Sequence, residues 1–199
     1  MVIGHHMMLT GYGHWLPNDP RGSMSLDVYS PRLAELAQVH FGRKRRQPSL
    51  RELREFYEKA APLLAYPVLW FDSAKRQAIA KVIGSIVGRE KLTCYACAVL
   101  TNHIHLLIRR HRLKAEEMLG ILKRDIRDHL RASGSVPADH PVFSADHRVF
   151  FKSDPQAVRN CIGYIRRNFR KHGLPVQEYP FVTPYNDWPF HNRLKRPRS

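Results

Sequence analysis

Cysteine is scarce in this chain, with only three among 199 residues: Cys94, Cys97 and Cys161. So small and odd a number excludes a disulfide framework. Cys94 and Cys97 form a lone CxxC, but no second pair follows at zinc-ribbon spacing. They sit inside the apolar run Thr93-Cys-Tyr-Ala-Cys-Ala-Val-Leu100, which reads as a strand carrying buried thiols. No apolar run approaches the roughly 18 residues that cross a bilayer, so no membrane partner is expected. The start, Met1-Val-Ile-Gly-His-His6, lacks the charged and long apolar segments of a signal peptide, which points to a cytoplasmic protein. Acidic residues are also few. There are 17 of them against 33 lysines and arginines, a formal net charge of +16.

Such an imbalance calls for a polyanion, nucleic acid before an anionic membrane surface, because none of the basic clusters lies on an amphipathic membrane helix. The clusters are Arg43–Arg46, Arg109-Arg-His-Arg112, Arg166-Arg167 with Arg170-Lys171, and Arg193 to Arg198. Hydrophobic residues make up 43% of the chain, enough for one domain spanning 1–199 with a sizeable core.

Hydrophobic periodicity then orders the chain. Residues 5–12 read as a strand, followed by the turn-rich loop Leu16-Pro-Asn-Asp-Pro-Arg-Gly-Ser23. Ser30-Pro31 predicts a helix to about Phe41, and a Ser49/Glu52 capping box predicts a second over about 50–60. Both belong to a helical insertion, about 24–70, after the first strand. A helix over 73–90, strands over 93–100 and 103–110, a helix over 113–132, a strand over 147–152 and a helix over 155–172 follow. The last helix has Asp154 as N-cap and Gly173 just past its end. Without the insertion, the first six elements give βαββαβ, an α+β, ferredoxin-like antiparallel sheet with helices on one face. The seventh element is an additional C-terminal helix. A proline- and aromatic-rich tail, basic at its end, covers about 175–199.

Two segments carry candidate chemistry. In Asn102-His-Ile-His-Leu-Leu-Ile108 the alternation of a strand puts Ile104, Leu106 and Ile108 on the core face. His103 and His105 then share the opposite face, about 7 Å apart along the strand. Two imidazoles so placed can chelate one divalent ion. The neighbouring pair His5-His6 is read as coincidence in a chain with 12 histidines. In the last helix, Val158, Ile162, Ile165 and Phe169 form the apolar stripe, and Tyr164 and Asn168, four apart, share a flank beside it. Arg167 and Lys171 lie near that flank, where phosphates could be held. Taken singly, a polar strand face and a helical tyrosine are ordinary structural features. Their combination is what points to a site.

Asn102-His-Ile-His-Leu-Leu107 resembles the HUH motif (histidine, bulky apolar, histidine) of the single-tyrosine HUH transposases. Tyr164-Ile-Arg-Arg-Asn168, followed by Lys171-His-Gly-Leu174, is similar to the tyrosine helix of their REP-associated branch. Gly13-His-Trp-Leu-Pro-Asn-Asp-Pro-Arg-Gly-Ser23 also resembles a stretch found in one group of these proteins, so the resemblance spans about 9–188. It implies metal-dependent cleavage and strand transfer of single-stranded DNA. His103, His105 and the side-chain oxygen of Asn168 would bind Mg²⁺ or Mn²⁺, and Tyr164 would be the nucleophile, forming a 5′-phosphotyrosine and freeing a 3′-OH. Arg109, Arg110, Arg112, Arg166, Arg167, Arg170 and Lys171 are the expected DNA contacts. The expected partner is single-stranded or hairpin DNA; monomer and homodimer both stay open, as does exchange of the tyrosine helix between subunits. Two positions depart from the family: Phe169 replaces its usual proline, and Leu100-Thr101 its methionine-proline. The alternatives are a domesticated or decayed hairpin-binding protein, an RNA-binding module of the same strand order, and a relaxase or replication initiator. The RNA module would need stacking aromatics where His103 and His105 stand, and a single candidate tyrosine in a short chain disfavours the last.

Overall fold

The computed structural model describes residues 1–190, apart from Met24, Leu26, Asp27 and Tyr29, with the backbone alone at Asp146. The basic end of the tail, Arg193 to Arg198, therefore lies outside the described residues. Four strands, β1 (Gly4–Gly11), β2 (Cys94–Val99), β3 (His103–Arg109) and β4 (Phe143–Lys152), form one antiparallel sheet in the order β2-β3-β1-β4. Five α-helices join them: α1 (Pro31–Ala34), α2 (Leu50–Ala60), α3 (Ser73–Arg89), α4 (Ala115–Ala132) and α5 (Pro155–Lys171). Without α1 and α2 the order is βαββαβ plus α5, the α+β arrangement that the periodicity predicts.

The two sheet faces are covered differently. Met7 and Leu9 of β1 and Ile104, Leu106 and Ile108 of β3 meet Ile79, Ile83 and Ile86 of α3 and Leu119, Leu122 and Ile126 of α4 in the larger core. Alternation sends the intervening residues to the other face. There Val158, Cys161, Ile165 and Phe169 of α5 pack on Tyr95, Ala96, Ala98 and Leu107. Cys94 and Cys97 are free and buried; burial pushes the Cys94 thiol up to about 12 and raises the Cys97 thiol well above its ordinary value, so neither supplies a thiolate.

Local signals explain how α5 is held. Asp154 accepts the Ala157 N–H at 2.7 Å, which caps the start. At the other end Gly173, at φ +64°, and Leu174 donate back to Arg170 and Phe169, closing a Schellman turn. The tail then clasps the helix through the ion pairs Arg166–Glu178 and Arg159–Asp187. Phe169 is 1% exposed and anchors α5 to the sheet. Phe169→Ala is expected to cost about 3–5 kcal/mol, read as a lower midpoint in chemical denaturation. A change below about 1 kcal/mol would contradict this anchoring.

Two boundaries differ from expectation. α1 stops at Ala34 instead of reaching Phe41, because the buried Asn18 amide binds the carbonyls of Leu33 (2.5 Å) and Ala37 (3.2 Å). Those carbonyls are satisfied sideways, and the chain turns. β4 begins at Phe143 instead of 147, since after an irregularity at Leu9–Gly11 of β1 the pairing resumes at Gly11–Phe143. Leu16, Leu33, Phe56 and Ala60 form a separate small core in the region of α1 and α2.

Candidate functional site

The face of the sheet not covered by α3 and α4 carries three converging imidazoles. β3 contributes His103 and His105, and β1 contributes His6, diagonal to His105 and two residues from its pairing partner Met8. His6 Nε2 lies 3.0 Å from His105 Nδ1, and His105 Nε2 lies 3.0 Å from His103 Nε2. His103 Nδ1 is 2.7 Å from Asn102 Oδ1, so that nitrogen carries the proton and His103 Nε2 presents a lone pair. His6 is the member that sequence reasoning passed over. The alternation of Met7 and Leu9 toward the larger core did place it on this face, but the apolar Met8 beside it blurred the pattern.

Burial governs the charge of this row. It lowers His105 to about 2, helped by His103 and His6, and lowers His103 to about 3, helped by His172. His6 falls to about 4 through burial and Lys152. All three are neutral at ordinary pH, the state in which imidazole ligates metals. Two tautomer patterns fit the spacing. In one, protons run in a single direction from His6 through His105 to His103. In the other, His105 Nδ1–H donates to His6, and the Nε2 lone pairs of His105 and His103 face each other. Two lone pairs at 3.0 Å repel unless a cation lies between them. Adjacent octahedral ligands at about 2.0–2.1 Å from Mg²⁺ are themselves about 3 Å apart. The pair therefore fits such an ion.

α5 crosses above this row. The Tyr164 ring lies 5.5 Å from the ring of His105 and 5.9 Å from that of His6, edge-on to both. Asn168, one turn on and buried, donates from Nδ2 to the Tyr164 carbonyl at 2.8 Å, which leaves its Oδ1 as an unengaged acceptor among the described residues. His172 stands beside His103 with its Nδ1 2.9 Å from the Thr101 hydroxyl, one of the two departures noted in the sequence. Among the described residues, no group of three or more histidine, cysteine, aspartate or glutamate side chains is placed to hold a metal ion. An ion on His103 and His105 would need Asn168 and non-protein oxygens to complete its shell. Tyr164, Asn168, His103 and His6 line one cavity of about 900 Å³.

The predicted DNA contacts separate into two sets. Lys171 lies at the site, its Nζ 5.3 Å from the Tyr164 ring centre. Arg109 stacks on Trp188, Arg166 pairs with Glu178, and Arg110, Arg112, Arg167 and Arg170 are exposed outside the cavity wall. The basic residues that do line the cavity are Arg21, Arg43, Arg148 and Lys152. The last two were legible from alternation: Arg148, Phe150 and Lys152 share the face of β4 that continues the imidazole row. Arg21 and Arg43 reach the site only through the loops that flank α1.

No protein-family model matches the chain, and no curated protein matches it. Among solved structures it is similar to a REP-associated tyrosine transposase bound to a REP hairpin, at 13% identity and a TM-score of 0.42, over 90% of this chain and 74% of that one. It is also similar to a "putative transposase" from Deinococcus radiodurans, at 10% identity and a TM-score of 0.43, over 84% of this chain and 91% of that one.

Proposed function

We propose that this chain cleaves single-stranded DNA and transfers the cut strand, as a transposase does, through a 5′-phosphotyrosine on Tyr164 and with Mg²⁺ or Mn²⁺ as cofactor. The observation that carries the reading is the placement of one phenol edge-on to His105 and His6, at the mouth of a basic cavity, where His103 and His105 turn Nε2 atoms toward each other.

The roles follow from these positions. His103, His105 and Asn168 Oδ1 would hold the ion. When bound, a divalent ion neutralises charge on the scissile phosphate and on the departing oxygen. Tyr164 is 38% exposed, so its hydroxyl is open to a strand in the cavity. That oxygen attacks phosphorus as the P–O3′ bond breaks; the phenol gives up its proton and the 3′-oxygen gains one. The phosphotyrosine keeps the bond energy, so a second 3′-OH can displace Tyr164 and reseal a strand without ATP. His6 holds His105 in place, and the capped, clasped α5 fixes Tyr164.

The test is direct. Wild-type protein incubated with labelled single strands able to fold into hairpins, in Mn²⁺, is expected to give an SDS-resistant protein–DNA adduct that EDTA abolishes. Binding without an adduct in any divalent ion would overturn the catalytic reading and leave a hairpin-binding protein.

A further inference from the structure

The loop that joins β1 to α1 builds a second element of the same cavity. Trp15 holds a left-handed backbone, φ +53°, which an aromatic residue rarely adopts. Its N–H donates to the Tyr57 hydroxyl at 2.9 Å. The guanidinium carbon of Arg21 lies 3.6 Å from the centre of the Trp15 ring, and both side chains line the cavity that holds Tyr164 and His103. Asp19, whose side chain is fully buried, fixes the guanidinium: Nε donates to Oδ1 at 2.8 Å and Nη2 to Oδ2 at 2.6 Å. Tyr57 donates to the same Oδ2 at 2.5 Å and accepts from Nη2 at 3.3 Å. Burial works against the Arg21 charge, but Asp19 outweighs it and holds the group above its ordinary range. The loop is tied to residues 40–44 by Ser23 N–H to His40, Gly42 N–H to Ser23 and Lys44 N–H to Arg21 carbonyl bonds. Gly22, at φ +88°, passes so close to the Gly42 carbonyl that a Cβ would sit 2.0 Å from its oxygen.

An arginine built this firmly is more than a solvated surface charge. Its hydrogen-bond inventory says what it can bind. Nε and Nη2 are spent on Asp19 and Tyr57, and among the described residues only the two hydrogens of Nη1 remain. Bidentate reading of a guanine edge needs two adjacent nitrogens of the fork, and Arg21 has one to offer. A single nitrogen with two hydrogens suits phosphate oxygens. The face of the indole turned away from Arg21 is a π-face that any base can stack on. We infer that Trp15 and Arg21 form a sequence-tolerant nucleotide subsite next to the reaction centre, with a base of the single strand stacked on the Trp15 indole and its phosphate on Arg21 Nη1. The inference rests on the proposed single-stranded substrate and adds the residues that hold one of its nucleotides.

Binding alone tests it. The full chain carrying Tyr164→Phe is titrated with two fluorescein-labelled probes of equal phosphate number, a 12-residue oligothymidylate and a 12-unit abasic strand. Trp15→Ala is expected to lower the preference for bases over abasic units about tenfold, with little change on the abasic probe, because base–aromatic stacking contributes about 1–3 kcal/mol per base. Trp15→Leu, which keeps apolar bulk but no π-face, must act the same way, so a folding defect in the alanine variant does not spare the proposal. The double variant Asp19→Asn with Arg21→Gln, which keeps the buried pair neutral, is expected to reduce the slope of log K against log salt by about 0.7 on both probes. Equal weakening on both probes by Trp15→Leu, an unchanged base preference, or an unchanged salt slope would overturn the subsite. Those outcomes leave the adduct experiment standing. A chain with Trp15 and Arg21 intact that binds neither probe overturns the subsite, while the adduct experiment on hairpin-forming strands decides the proposed function separately.

Discussion

Tyr164→Phe is expected to leave no SDS-resistant adduct and to lower strand cleavage by roughly 10⁴-fold or more, the scale of losing a nucleophile. The dissociation constant for the same strand is expected to change by less than about threefold. The two expectations separate because phenylalanine keeps the ring that meets His6 and His105 and loses only an oxygen. That oxygen has no hydrogen-bond partner among the described residues, so its removal takes nothing from the fold. His105→Ala makes the contrast. It also removes the adduct, but it deletes a side chain with no exposed surface and leaves His6 Nε2 and His103 Nε2 without their shared neighbour. Its residual activity is expected to be insensitive to Mn²⁺ and EDTA alike, with a lower melting temperature. The measurements are gel-resolved adduct and product against time, beside fluorescence-anisotropy binding. Appreciable cleavage by Tyr164→Phe would remove the phenol from the mechanism, and normal rates in His105→Ala with EDTA would remove the ion.

How much of this was legible in the sequence depends on how local each signal is. The alternation of His103, Ile104, His105, Leu106 and Leu107 is a property of five consecutive residues, and it placed the histidine face correctly with no knowledge of the partner strands. The caps of α5 are similarly local, Asp154 at one end and Gly173 at the other, and its stripe put Tyr164 and Asn168 on one flank. The stripe is wider than its spacing suggested: Cys161 is buried beside Val158, Ile165 and Phe169, and Ile162 packs partly buried against the same cluster. What failed depended on distant pairing. His6 gains meaning only when β1 lies beside β3, and the Met8 side chain on the same face disguised it. The early stop of α1 is caused by an amide fifteen residues away. Which basic residues line the cavity depends on folding in the same way. Clusters of consecutive arginines on α5 and after β3 are conspicuous in a sequence, yet Arg21 is a lone residue and Arg43 only one end of a cluster, and it is folding that gathers them with Arg148 and Lys152.

Acid should unfold this protein at a higher pH than carboxylate titration alone would. His6, His14, His103 and His105 are held neutral in the native state, lowered from 6.5 to about 4, 4, 3 and 2, each mainly by burial. The sign follows from linkage. Between the unfolded value near 6.5 and the folded values, the unfolded chain binds protons that the native chain does not. Stability is therefore fully present above pH 6.5 and is lost as pH falls. Each such imidazole gives up about 1.4 kcal/mol per pH unit, and four give about 5. From neutrality to pH 5 the loss reaches about 8 kcal/mol, which is within the whole stability of an ordinary domain, about 5–15 kcal/mol. Carboxylates cannot produce this, since they ionise below that range. The expected result is cooperative loss of near-ultraviolet circular dichroism centred between about pH 5 and 6, with the urea midpoint already falling from pH 7 to 6. His14 makes a useful control because it is not hydrogen-bonded to the row, its Nε2 lying on the Leu69 carbonyl. A His14→Gln variant still accommodates a hydrogen bond there and should lose about a quarter of the pH dependence. A urea midpoint that stays flat from pH 7 to 5 would mean the native chain takes up protons along the row, and the picture of three neutral, lone-pair-bearing imidazoles beneath Tyr164 would go with it.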